Sequence, residues 1–88
     1  MSSFSKIVNR LMLGASDANI KFSELRYVLE RLGFSERIKG DHYIYTLKGV
    51  MEIINIQPKG AMSKPYQVKQ IRNLILKYNL LEVGENGK

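Results

Sequence analysis

The chain has 88 residues, 44 % hydrophobic and 25 % charged, with no cysteine and a formal net charge of +6. That length supports one small domain burying roughly 60 to 65 % of its unfolded surface, which excludes a second folding unit and a deep cofactor cavity, and the composition argues against disorder. Disulfides, thiolate catalysis and thiolate metal sites drop out with cysteine, while the positive balance favours a polyanionic partner, either nucleic acid or an acidic protein.

At the start of the chain, Met1-Ser2-Ser3-Phe4-Ser5-Lys6 lacks the apolar stretch and cleavage site of a signal peptide. No later run approaches the about 18 apolar residues that span a bilayer, so a cytoplasmic protein without membrane attachment is expected. Ser3 or Ser5 can cap a first helix in which Ile7, Val8, Leu11 and Met12 recur at helical spacing, with Gly14 ending it. Ala15 to Asn19 reads as a loop. A second helix places Phe22, Leu25, Val28, Leu29 and Leu32 on one face and Lys21, Glu24, Arg26, Glu30 and Arg31 on the other, and Gly33 stops it.

From Phe34 the period changes to two, and three extended runs follow at about 34–39, 42–47 and 50–57. The breaks Lys39-Gly40-Asp41 and Lys48-Gly49 are too short for crossovers, which predicts an antiparallel meander. Pro58-Lys59-Gly60 ends the third strand. Pro65 then opens a final helix with Val68, Ile71, Leu74, Ile75 and Tyr78 on one face, and the tail 82–88 is expected to fray. The predicted fold class is α+β, with a three-stranded antiparallel sheet, helices packed on one of its faces, and the other face left for partners.

The chain's one histidine, His42, opens the middle strand beside a turn, where rigid backbone can hold a side chain that still meets solvent. It is the one side chain suited to proton transfer near neutral pH. Lys39 lies across the turn, Lys48 at the end of the same hairpin and Lys59 just beyond the third strand. Such cations bind phosphate and favour the neutral, proton-accepting imidazole. Tyr43 and Tyr45 project opposite to Ile44. Either set can face the helices, and packing is the expected role of the tyrosines rather than base stacking. Between Pro58 and Leu81 stand Lys59, Lys64, Lys69, Arg72 and Lys77 with no acidic residue, a footprint suited to phosphates. Asp41 reads as a turn former rather than an orienting carboxylate, because neighbours along a strand point to opposite faces. One histidine without clustered carboxylates closes no zinc site, and no phosphate-binding glycine loop, nucleophile elbow or dinucleotide fingerprint is present. No metal or cofactor is expected.

Leu32-Gly33-Phe34, Gly40-Asp41-His42-Tyr43-Ile44, Ile54-Asn55-Ile56-Gln57-Pro58-Lys59-Gly60 and Lys64-Pro65-Tyr66-Gln67-Val68-Lys69-Gln70-Ile71-Arg72 together resemble the HicA toxins of bacterial toxin–antitoxin pairs. The resemblance runs from about Phe22 to Leu80. It implies a single domain at 1–88, with residues 1–15 as a helical extension of the kind found in one branch of the family and 20–80 as a core like a double-stranded-RNA-binding domain. It further implies a metal-independent endoribonuclease acting on mRNA, an essential histidine at His42, and neutralisation by a HicB-type antitoxin, with a homodimer or a toxin–antitoxin hetero-oligomer left open. The family usually carries serine where this chain has Asp41, and a carboxylate there is expected to repel phosphate.

On this reading His42 is the general base on a ribose 2'-hydroxyl. Lys39, Lys59 or both stabilise the phosphate charge, and Lys64, Lys69 and Arg72 extend the RNA-binding surface. The second proton donor is open between water, a lysine and Tyr43. The alternatives are a non-catalytic double-stranded-RNA-binding module and a protein-interaction domain for an acidic partner.

Overall fold

The computed structural model describes residues 3–81; the tail 82–88 lies outside the described residues. In chain order they form α1 (Ser3–Leu13), a 3-10 turn (Asp17–Asn19), α2 (Phe22–Arg31), β1 (Ser35–Lys39), β2 (His42–Leu47), β3 (Val50–Ile56) and α3 (Pro65–Tyr78). The fold is α+β, and α2-β1-β2-β3-α3 is the αβββα order expected from the sequence.

Each helix follows its apolar stripe. In α2, Phe22, Leu25, Val28 and Leu29 are buried, and the Glu24 carboxylate accepts the Lys21 backbone N–H at 2.9 Å, closing the first turn. Gly33 ends the helix at φ +99°, with its N–H on the Glu30 carbonyl at 3.0 Å and that of Phe34 on Leu29 at 3.1 Å. In α3, Val68, Ile71, Leu74 and Ile75 are buried and Pro65 sits in the first turn. Val8 and Leu11 bring α1 into the same apolar cluster, so this helix completes the core rather than lying outside it. Burying a Leu side chain fully, as at Leu11, contributes about 1.5–3 kcal/mol.

The strands pair antiparallel in the order β1-β2-β3. A two-residue turn, Gly40-Asp41, sets Lys39 opposite His42, with Gly40 at φ +63°. The second hairpin is irregular: Leu47 pairs with Val50 but Tyr45 with Ile54, so Met51, Glu52 and Ile53 stand against Thr46 alone. Beyond that bulge, alternation resumes. Tyr45, Ile54 and Ile56 are buried in the core cluster with the apolar faces of α2 and α3. Arg37, Lys39, His42, Ile44, Ile53 and Asn55 take the other face, where Ile53 is 63 % exposed and neighbouring Met51 90 %.

Candidate functional site

His42 begins β2 on the uncovered sheet face, its side chain 49 % exposed. The two-residue turn places Lys39 directly across the ladder, so both side chains leave the same face with Cβ atoms typically about 5 Å apart. Arg37, which pairs with Ile44, stands one step further along that face and adds a cation that sequence reading did not single out.

Polar side chains meet the imidazole on both nitrogens. Nδ1 lies 3.2 Å from Oδ1 of Asn55, and Nε2 lies 3.4 Å from Nε2 of Gln57. The same Gln57 nitrogen donates to Oδ2 of Asp41 at 3.2 Å, and Oδ1 of Asp41 is 3.9 Å from His42 Nε2. Asp41 does sit in the turn, as the sequence implied, yet its carboxylate also approaches the ring. Strict alternation does not govern a residue outside the strand, which is why the two carboxylate roles are compatible. Gln57 is anchored in turn by buried Gln67 of α3, whose carboxamide accepts the Gln57 N–H at 2.9 Å and donates to the Gln57 carbonyl at 3.1 Å. Asn55, Gln57 and Gln67 were missed from sequence. Their signal was Asn55 and Gln57 alternating with the isoleucines of Ile53-Ile54-Asn55-Ile56-Gln57, and Gln67 beside Val68 on the apolar face of α3.

The other cations are dispersed. Lys59 follows Gln57 by two residues, in a turn closed by its own backbone pairing with Met62 at 2.8 and 3.0 Å, and is exposed. Half-buried Lys64 precedes the first turn of α3, the same turn that carries Gln67. Lys69 lines a separate groove between α3 and β3 with Glu52, Tyr66, Asn73 and Lys77. Lys48 sits at the opposite end of β2 from His42, ~15–20 Å away at strand rise, so it does not belong to the site.

Arg72 must be removed from the expected phosphate contacts. Its guanidinium binds Asp17 at 2.8 and 3.2 Å and the Leu11 carbonyl at 3.1 Å, with the side chain only 15 % exposed. Its donors tie α3 to α1 and the 3-10 turn. Lys77 is likewise paired with Glu52 at 2.7 Å. The run of uncompensated charge between Pro58 and Leu81 therefore finds two of its counter-charges elsewhere in the chain.

Tyr43 points away from His42. Its ring packs edge-on against Phe22 at 4.9 Å with Arg26 4.7 Å above it, and Tyr45 is 1 % exposed. Both tyrosines thus serve packing, and Tyr43 is excluded as a proton donor at the imidazole.

A cleft of about 380 Å³ opens on the helix side of the sheet, among Arg26, Tyr27, Glu30, Glu36 and Tyr45. Arg26, Glu36 and Tyr45 satisfy one another. Glu36 takes a bidentate Arg26 at 3.0 and 3.1 Å and accepts the Tyr45 hydroxyl. Arg26 and then Tyr45 hold the Glu36 carboxyl below its usual range, while burial and then Glu36 push the Tyr45 phenol up. This is a packing cluster on the face opposite His42.

Among the described residues no group of three or more His, Asp or Glu converges as a metal site, and no helix is long and apolar enough to cross a membrane. No family model matches the chain, and neither the curated proteins nor the solved structures compared with it gave a match.

Proposed function

We propose that this chain is a metal-independent endoribonuclease, the toxin of a HicA-type toxin–antitoxin pair, acting on mRNA through His42. The observation that carries the reading is the placement of the chain's one imidazole. It is half exposed on an open face, bounded by amide side chains on both nitrogens, and has Lys39 directly across the ladder. In the reaction His42 takes the proton of a ribose 2'-hydroxyl, the 2'-oxygen bonds to the adjacent phosphorus, and the bond from phosphorus to the 5'-oxygen breaks. Lys39, with Lys59 beyond Gln57, offsets the charge on the phosphate oxygens. The proton for the leaving 5'-oxygen comes from water or a lysine. RNA would end in a 2',3'-cyclic phosphate, and DNA, lacking the attacking hydroxyl, would be inert.

Labelled RNA and DNA incubated with the purified protein in chelator test this reading. RNA alone should be cut, and His42→Ala should lower the rate by about 100- to 10,000-fold while RNA binding persists. A His42→Ala protein that cleaves at the wild-type rate, or RNA cleavage abolished by chelator, overturns the assignment.

Exposed Ile53 on the same face, with exposed Met51 near it in the strand, supports protein capture as well, in this reading by a HicB-type antitoxin that covers the site. Expression alone should arrest growth, and co-expression with the product of the neighbouring open reading frame should restore it. Normal growth with soluble, folded protein favours the non-catalytic binding module instead.

A further inference from the structure

We propose that Asp41, Gln57 and Asn55 form a positioning relay that fixes His42 as the Nδ1–H tautomer and leaves Nε2 as its proton-accepting atom. The proposal deepens the ribonuclease reading and rests on it for its catalytic meaning. Asp41 is the one group of the four with no choice of role. A carboxylate can only accept, so the Gln57 side chain must turn its NH2 toward Asp41, as the 3.2 Å contact requires. The second hydrogen of that NH2 then meets His42 Nε2 at 3.4 Å, which must answer with a lone pair. A neutral imidazole carries one ring hydrogen, so it resides on Nδ1, and Asn55 Oδ1 at 3.2 Å accepts it. Each link fixes the next.

The arrangement is mechanically supported, because Gln57's backbone is clamped at 2.9 and 3.1 Å by Gln67, which is 1 % exposed. It also gives Asp41 a use. The carboxylate that disfavours phosphate approach is the acceptor that orients the Gln57 NH2, and through it the ring. A substrate hydroxyl would displace the weak Gln57 contact on Nε2, which is longer than a strong hydrogen bond.

The chain contains a single histidine, so a long-range 1H–15N correlation spectrum of the full-length labelled protein, taken where imidazole is neutral, reports its tautomer directly. The wild type should show a pyrrole-type Nδ1 and a pyridine-type Nε2. Asn55→Ala should move the ring toward the Nε2–H form and lower kcat by about 10- to 100-fold with KM little changed. Asn55→Asp, which keeps an acceptor, should restore the Nδ1–H form and most of kcat. A wild-type ring already in the Nε2–H form overturns the relay, as does an Asn55→Ala protein that loses kcat with its tautomer unchanged. Faster cleavage by Asp41→Asn would overturn Asp41's part in it. The spectrum needs no turnover, so an Nδ1–H ring in a protein that fails to cleave RNA would sink the ribonuclease reading while sustaining the relay.

Discussion

Arg72 donates three hydrogen bonds from a side chain only 15 % exposed, so cutting it back leaves the Asp17 carboxylate and the Leu11 carbonyl without their donor. Arg72→Ala should cost about 2 kcal/mol of stability, below the range for a fully buried pair because Asp17 keeps some access to water. In a domain of this size each kcal/mol lowers Tm by about 4–8 °C. Lys69→Ala, at an exposed position, should stay within about 0.5 kcal/mol. Thermal melts of the two variants decide the matter, and equal losses would contradict the structural role of Arg72. The sequence could not reveal this, because Asp17 stands 55 residues away and charge runs are counted along the chain. Lys39 was legible for the opposite reason: a two-residue turn fixes its cross-strand partner without any knowledge of the rest of the fold.

The hairpins show the same divide between local and distant information. Helix faces, strand bounds and turn glycines could be read because period and capping chemistry are local. The register of the second hairpin could not. Regular pairing around Lys48-Gly49 would set Asn55 opposite His42; the irregularity between Tyr45 and Leu47 extends the observed register so that Gln57 takes that place and Asn55 lies on the diagonal. The site's amides were therefore hidden in plain composition. The junction of β3 with α3 depends equally on a contact across space, the Gln67 carboxamide on the Gln57 backbone. Gln67→Leu fills similar volume but orphans a backbone N–H and carbonyl, at a cost of about 2 kcal/mol. Amide hydrogen exchange at Gln57 should accelerate in that variant, and unchanged protection would show the clamp to be dispensable.

Electrostatics tie the molecule together more widely than its net charge implies. Lys77 and then Tyr78 lower the Glu52 carboxyl to about 2, and Arg26 and then Tyr45 lower Glu36. Burial raises Glu24, but Arg10 and the Lys21 backbone N–H outweigh it and leave that carboxyl lowered as well. Groups depressed in the folded state stabilise it above their unfolded value, 4.5, and lose that contribution as pH falls through the folded value. Tm should therefore decline as pH drops from about 4.5 toward 2, more steeply in wild type than in Glu36→Gln. Scanning calorimetry across that interval checks the sign, and a flat profile would contradict it. These pairs join α1 to α2, α2 to β1 and β3 to α3, so acid should loosen several junctions at once.

The surplus in β3 is two residues, and its parity separates durability from chemistry. An odd offset would have turned Ile54 and Ile56 into solvent, whereas an even one leaves the oily layer intact. Shortening the strand by a pair would thus be silent to the interior while reassigning which side chain confronts the imidazole. The same peptide segment can stay well folded and change what its histidine is able to do.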